Sequence, residues 1–261
     1  MKKLRVDIVT IFPEMVEPYL SGSILGRAQR PIGARRAVPL RIDVHDLRRW
    51  THDAHKTVDD KPFGGGPGMV MKIAPFHEAL VALKLRMKDG KKTAAAKKAR
   101  VIVTSAKGKP FTQQEAKRLS KYDRLVFLCG RYEGMDERIA KHLADEELSI
   151  GPYVLTGGEL PALVMTDAVA RLIPGVLGKA ESLTTESHTD EGVLEYPQYT
   201  RPEVYELGKK EKGKGLKQKG KRKKHALSGV EGEKGWRVPD VLLSGNHKKI
   251  EEWRKSQSEA S

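Results

Sequence analysis

Residues 55–69, His-Lys-Thr-Val-Asp-Asp-Lys-Pro-Phe-Gly-Gly-Gly-Pro-Gly-Met, put four glycines and two prolines into the seven positions from Pro62 to Gly68. Glycine admits positive φ and close approach of another molecule, while Pro62 and Pro67 restrain the loop. A surface turn and a ligand-facing loop both fit. A Walker-type phosphate loop does not, because it needs Lys-Ser/Thr after its last glycine and Gly68 is followed by Met69-Val70-Met71. That argues against an NTPase. His52 and His55, with Asp53 between them, have a metal-ligand spacing, but no further ligand pair completes a set. They read as loop histidines facing substrate or solvent, and no metal site is assigned. Cys129 ends the apolar run Leu125-Val-Phe-Leu128 and reads as a buried thiol rather than a nucleophile.

Three further segments have the composition of strand-end loops: Thr104-Ser-Ala-Lys-Gly108, Cys129-Gly-Arg-Tyr-Glu-Gly134 and Ile150-Gly-Pro-Tyr-Val-Leu155. Loops at the carboxyl ends of parallel strands are where open α/β sheets bind small molecules. Any one segment alone reads first as an ordinary strand-to-helix turn. The chain has no Gly-x-Gly-x-x-Gly fingerprint, so a dinucleotide site of the Rossmann kind is unsupported.

The elements that must carry these loops follow from pattern. Leu4–Phe12, Val38–Val44, Arg100–Thr104 and Arg124–Leu128 are β-branched or apolar runs of strand length. Pro75 to Met87 places Phe76, Leu80, Leu83 and Met87 on one helical face. Thr112-Gln-Gln-Glu115 is a capping box that starts a helix running to about Leu119. Gly134–Ala144 and Glu159–Leu172 also carry helical patterns. Strands alternating with helices predict an α/β domain with a mostly parallel sheet covered on both faces.

At 261 residues the chain can bury one or two cores. Its 49 Lys and Arg against 34 Asp and Glu give a net charge of +15, which favours a polyanionic partner, nucleic acid first. A single cysteine forbids an intrachain disulfide and suits the cytoplasm. Arg5 and Asp7 break any signal-peptide apolar region, and Glu159, Asp167 and Arg171 interrupt the apolar stretch 154–177, so no membrane association is expected. Two segments interrupt the α/β pattern. Residues 178–196 are polar and aperiodic and read as a linker or substrate loop. Residues 208–224 hold ten Lys or Arg against one acid, a composition that cannot fold alone and reads as a solvated insertion; whether its lysines also supply salt-sensitive contact with RNA phosphates stays open at this point.

In order along the chain stand Ile8-Val-Thr-Ile-Phe-Pro13, the glycine loop, Cys129-Gly-Arg-Tyr-Glu-Gly-Met-Asp-Glu-Arg138, Ile150-Gly-Pro-Tyr-Val-Leu-Thr-Gly-Gly-Glu-Leu-Pro161, Pro197-Gln-Tyr-Thr-Arg-Pro202 and Leu243-Ser-Gly-Asn-His247. Together these resemble the TrmD-type tRNA (guanine-37-N1) methyltransferases of the SPOUT class. The resemblance implies a trefoil-knotted parallel sheet at residues 1–178, a linker at 179–198, and a small helical tRNA-binding domain at 199–261 with a Lys-rich insertion at about 208–235. It also implies a homodimer whose active sites draw on both subunits, S-adenosylmethionine as methyl donor, and magnesium, for which no residue can be assigned from spacing.

Carried over position by position, the donor-binding residues are Ala106, Gly130, Glu133, Ile150, Gly151, Pro152, Tyr153, Val154, Leu155, Gly157 and Gly158. Ala106 stands where the family commonly has proline, and Pro152, which lacks an NH donor, where it commonly has aspartate. Methylating guanine at N1 needs a base for its proton and a cation for charge that spreads to O6. Arg171 matches the family arginine; read alone it is equally a surface arginine paired with Asp167. For the base, the family's Asp-Ser-Phe is replaced by Thr185-Glu-Ser-His188. Counting forward from Arg171 selects Glu186, whereas counting back from Gly192 leaves Asp190 as the alternative. Other functions remain open at this point: a SPOUT methyltransferase for another RNA site, or an RNA-binding homologue impaired in catalysis. The chain also stops at Ser261, soon after Trp253-Arg254-Lys255, where the family usually continues. That implies a weaker grip on tRNA, which the lysine segment would offset.

Overall fold

The structure is a computed structural model that describes residues 3–31, 38–177, 194–207 and 235–258. The chain divides into two compact units, Met1–Thr184 and Thr185–Ser261. In the first, β1 (Leu4–Thr10) leads to the short helices α1 (Glu17–Ser21) and α2 (Ser23–Ala28), then β2 (Leu40–Asp46). A two-stranded ladder of β3 (Asp59–Asp60) and β4 (Val70–Met71) brackets the glycine loop and leads into α3 (Ile73–Ala82). There follow β5 (Ala99–Pro110), α4 (Gln113–Leu119), β6 (Arg124–Cys129), β7 (Glu146–Ser149) and α5 (Glu159–Ala170).

Five strands form a wholly parallel sheet in the order β2-β1-β6-β5-β7. Side chains alternate between its faces, as the period of two requires. Leu4, Val6 and Ile8 of β1 join Leu125 and Phe127 of β6 beneath α1, α2, α4 and α5. Val9, Val101, Val103, Val126 and Leu128 pack on the opposite face with Phe76, Ala79 and Leu80 of α3. A sheet buried on both sides explains why its strands read as apolar runs. Full burial of each such Leu, Ile or Phe contributes about 1.5–3 kcal/mol.

One fully buried charge interrupts this apolar sheet. Asp7 accepts hydrogen bonds from Arg5 (2.9 Å) and Arg124 Nε (2.7 Å) and meets His45 Nε2 at 2.7 Å. Burial alone would push its carboxyl up. The hydrogen bonds from His45 and Arg124, with the charges of Arg124 and Arg5, outweigh burial and hold it below the usual carboxylate range. Because these partners come from β1, β2 and β6, the cluster ties three neighbouring strands at one level.

Several elements differ from their sequence pattern. β2 begins two residues later than Val38 and ends two later than Val44. α3 stops at Ala82 because Lys84 turns the chain through φ +62°, which leaves Met87 in the following turn and exposed. At α4 the Thr112 hydroxyl accepts from Glu115 N, but the Glu115 carboxylate is taken by Lys109 and Arg118, so only half of the capping box forms. The pattern over Gly134–Ala144 yields only a wide single turn at Ile139–Leu143, since Met135 is drawn out to bridge Met71.

The second unit contains an antiparallel pair, β8 (Val204–Glu206) with β9 (Gly235–Arg237), then α6 (Asp240–Leu243) and α7 (His247–Ser258). The Tyr199 and Trp253 rings lie 6.3 Å apart, and the Arg254 guanidinium sits 4.7 Å from the Tyr196 ring centroid. The region read as helical thus also carries a small ladder. The Lys-rich segment 208–234 and the polar segment 178–193 lie outside the described residues.

Candidate functional site

Three backbone excursions line one site, one within β5 and one after each of β6 and β7. The first sits within one strand. Leu148 of β7 pairs with both Thr104 and Lys109, so Ser105–Gly108 leave the ladder and return to it. This corrects the reading of Thr104–Gly108 as a loop that ends a strand. Gly108 permits the return: a Cβ there would lie 2.7 Å from the backbone of Glu147 and Leu148.

The second excursion follows β6. It turns tightly at Tyr132, a non-glycine residue at φ +60°, and the glycine loop is stitched to it. Glu133 N donates to Met69 O (3.0 Å), Met71 N to Gly134 O (2.9 Å) and Asp136 N to Met71 O (3.0 Å). Gly68 packs so closely on Glu133 that a Cβ would fall 2.4 Å from its Cγ. Gly64, Gly65 and Gly66, all at positive φ, have open space around them, and Phe63 between Pro62 and Gly64 is fully exposed. The loop is therefore anchored at its end beside the site and free at its tip.

The third excursion runs from Ile150 to Gly158. The Tyr153 ring folds back over Gly151, and its hydroxyl donates to Ile150 O (3.2 Å). Gly158 N donates to Gly130 O (2.9 Å), closing the third excursion on the second. Between the three lies a cavity of about 510 Å³. Ala106, Gly130, Glu133, Ile150, Gly151, Tyr153, Val154, Leu155, Gly157 and Gly158 all line it, and Pro152 does not.

Beneath the cavity lies a polar network that the sequence motifs contain but do not single out. Arg131 Nε pairs with Glu159 at 2.9 Å, and Thr10 Oγ1 donates to the same carboxylate at 2.6 Å. Glu159 is 2% exposed and stands in the first turn of α5, where the helix dipole also favours a negative charge. The Arg131 guanidinium lies 4.8 Å from the centroid of the Phe12 ring. Two glycines are forced by this packing. A Cβ on Gly157 would sit 2.2 Å from Arg131 Nε, and one on Gly158 would sit 2.0 Å from Thr104 Oγ1 and 2.9 Å from Cys129 Cα.

At the rim, Lys107 of the first excursion pairs with Glu137 at 2.6 Å, and that hydrogen bond raises the ammonium's pKa and lowers the carboxyl's. Arg138 holds Asp136 and lowers its carboxyl in the same way. Glu133 lines the cavity, is exposed and makes no ion pair among the described residues, so it is a carboxylate open to a cationic ligand. Cys129 is fully buried and its thiol is pushed well up by burial, which suits a structural group. His52 and His55 are exposed, and the Asp53 between them spends its carboxylate on the Thr57 amide (3.0 Å) and hydroxyl (2.6 Å). No group of three His, Cys, Asp or Glu residues suited to a metal occurs among the described residues.

Arg171 is not brought to this cavity. It caps the C-terminus of α5, its NH bonded to Asp167 O, whereas Gly158 at the cavity caps the N-terminus. Twelve residues of helical rise put about 18 Å between Glu159 and Arg171 along the axis. Glu186 and Asp190 lie outside the described residues.

A family model described as tRNA (Guanine-1)-methyltransferase TrmD matches residues 4–224. Among curated relatives, a tRNA (guanine-N(1)-)-methyltransferase of Ruminiclostridium cellulolyticum is 44% identical over 255 residues, covering 98% of this chain and 91% of its own. Proteins of the same name from Bacillus pumilus and Staphylococcus carnosus are 43% and 44% identical, over 98% and 97% of this chain and 87% and 85% of theirs.

Proposed function

The chain belongs to the TrmD family of tRNA (guanine-1)-methyltransferases, and on that premise we propose that it transfers a methyl group from S-adenosylmethionine to N1 of guanosine 37 in tRNA, beside the anticodon. The observation that carries the reading is the convergence on one cavity of three backbone excursions, one within β5 and two that follow β6 and β7. Its volume lies in the range of small-molecule sites. Its walls combine glycine backbone, apolar Ile150, Val154 and Leu155, and the open carboxylate of Glu133. That donor set fits a nucleoside bearing a positive charge. When bound there, S-adenosylmethionine supplies an electrophilic methyl group on a sulfonium.

The rest of the chemistry falls to the chain. Guanine N1 carries a proton at neutral pH and is a poor nucleophile until it is removed. Glu186, with Asp190 as the alternative, takes that proton; Arg171 meets the negative charge that then spreads onto O6. The new N1–methyl bond forms as the sulfur–methyl bond breaks, with the electron pair left on sulfur. Holding the two reactants in line is the task of the rigid excursions and of the glycine loop, whose open tip suits an incoming nucleotide. Residues 1–178 would hold the donor in the knotted form of the family, and residues 199–261 would grip tRNA.

Pro161, the α5 residue that lines the cavity, lies about 15 Å from Arg171 along the helix axis, beyond the reach of an arginine side chain, which supports a homodimer in which Arg171 serves the cavity of a second copy. An exposed apolar strip is available for that contact. Leu160 and Val164 are exposed on α5, as are Met15 and Tyr19, and the Tyr19 hydroxyl bonds Asp167 of the same helix. No helix among the described residues is long and apolar enough to cross a membrane, and we place the reaction in the cytoplasm, with tRNA. Incubation with methyl-labelled donor and an unmodified transcript bearing guanosine at positions 36 and 37 tests the assignment. Label mapped to N1 of position 37 is the expected result. Label at another nucleotide, or none despite binding of both substrates, would overturn it.

A further inference from the structure

The C-terminal unit holds an aromatic pair that methyl transfer does not use. β8 and β9 pair over three positions, with Tyr205 directly opposite Trp236 and Glu206 opposite Gly235. Direct cross-strand partners share one face. The two rings stack with centroids 5.8 Å apart and planes inclined by 26°. A ladder this short is marginal by itself, so the stack helps to hold it. Yet the pair is not a core: Trp236 is 69% exposed and Tyr205 43%. Large amphipathic rings left in solvent, already aligned with each other, present a flat π surface to a planar ligand.

Charge identifies the kind of ligand. Arg237 adjoins Trp236, and its only ion pair among the described residues is a long one of 3.9 Å to Asp240. The segment that joins Glu206 to Gly235 includes residues 208–224, with ten Lys or Arg against one acid. A chain segment of that composition draws polyanions. Aromatic faces beside dense cations are the combination that binds unpaired nucleotides, the rings taking bases and the cations the backbone. An apolar protein partner would gain nothing from that density of like charge.

We propose that Tyr205 and Trp236 form a stacking platform for an unpaired base of bound RNA, a contact separate from the methylated nucleotide. The proposal rests on the tRNA reading only for which RNA is bound. The test measures Kd for the full-length protein with an unmodified tRNA transcript and, separately, with a short oligoadenylate. Trp236→Ala should raise both Kd values about tenfold, within the range measured for stacking on one aromatic side chain. Trp236→Phe should recover most of the loss. Trp236→Leu, which keeps apolar bulk for the hairpin but removes the π face, should bind as poorly as the alanine variant. The slope of log Kd against log salt should not change, because no phosphate contact is lost. Donor affinity should be unaffected. Unchanged Kd for both RNAs in Trp236→Ala would overturn the proposal, and so would unchanged RNA affinity together with lost self-association in sedimentation, which would make the pair a protein contact. If only the tRNA reading were wrong, the wild type would leave the transcript unmethylated while Trp236→Ala still weakened oligoadenylate binding.

Discussion

Gly158→Ala separates two reasons for a glycine at the donor cavity, packing within the chain and contact with ligand. Gly158 has φ −86° and ψ −5°, open to any residue, so backbone conformation adds no cost. The cost is contact. The added methyl would lie 2.0 Å from Thr104 Oγ1, 2.9 Å from Cys129 Cα and 2.9 Å from Gly130 N. The threonine hydroxyl can rotate away. The Cys129 backbone cannot, because β6 is buried between β1 and β5. Relief therefore requires the start of α5 to move out by several tenths of an ångström, stretching the 2.9 Å bond from Gly158 N to Gly130 O. Overpacking of this kind costs about 1–3 kcal/mol. At about 2–4 °C per kcal/mol for a domain of this size, Tm should fall by roughly 2–12 °C. Thermal unfolding without ligand is the assay, and adding Thr104→Ala to Gly158→Ala should recover part of the loss, since it removes the closest contact and leaves the backbone ones. A variant that melts like the wild type yet no longer binds donor would refute the packing argument and assign Gly158 to the ligand.

Asp7→Asn should destabilise by about 3–5 kcal/mol in urea, because Arg5 and Arg124 would be left around an uncharged group. The folded-state pKa of Asp7 is depressed, so its contribution is complete above the unfolded value near 4 and is lost as pH falls through the lower folded value. The urea midpoint of the wild type should therefore drop more steeply than that of Asp7→Asn as pH falls below the unfolded value near 4. Of Glu186→Gln and Asp190→Asn, the one that removes the base should lower single-turnover methylation by about 10²–10⁴ with donor affinity intact, and the Glu186 variant is the one expected; equal rates in both variants would exclude either as base. Deleting residues 208–224 should weaken tRNA binding and flatten its salt dependence, and an unchanged slope would remove RNA contact from that segment. Mixing an Ala106→Trp chain, whose exposed position lets the ring fill the donor cavity, with an Arg171→Ala chain should restore about a quarter of the active sites if each site draws on two copies, and none if a single chain supplies both parts.

The sheet was legible because burial on both faces forces β-branched and apolar runs, and Leu4–Thr10 and Arg124–Cys129 show little else. The excursion at Ser105–Gly108 was not fully legible, because the chain resumes the same strand and only the double pairing of Leu148 reveals the detour. The pattern over Gly134–Ala144 misled for a different reason. Ile139 and Leu143, four apart and both buried, satisfy one wide turn as well as a full helix, and the competing bridge from Met135 to Met71 decides between them. At the site, the glycine-rich segments announced close approach but not by what. Gly157 and Gly158 make room for Arg131 and Thr104, partners 26 and 54 residues away in sequence that no local pattern connects. Arg131 and Glu159 stood in quoted motifs as unassigned charges, and only the fold reveals them as one buried pair.

That pair also explains how a cavity walled by glycine can be rigid. Glycine lowers local stiffness, and a wall of Gly130, Gly151, Gly157 and Gly158 would wander unless held from behind. Each is held. Gly158 is bonded to Gly130, Gly157 lies on the Arg131 side chain, and Gly151 sits under the Tyr153 ring. Arg131 is fixed in turn by Glu159, whose place in the first turn of α5 couples the second excursion to the helix that follows the third. The missing side chains are thus filled by the protein itself, and the cavity keeps its shape before ligand arrives. Preorganisation of this kind is what in-line transfer requires of the donor side. For the proposed reaction, the acceptor side would be built differently. The glycine loop is tied down at its two stems, Asp59–Asp60 and Gly68–Met71, with Phe63 exposed and Gly64–Gly66 standing in open space. A small donor of fixed shape can be met by a finished pocket, whereas a nucleotide embedded in a large folded RNA must be admitted before it is held, and the distribution of contacts around the two loops follows that difference.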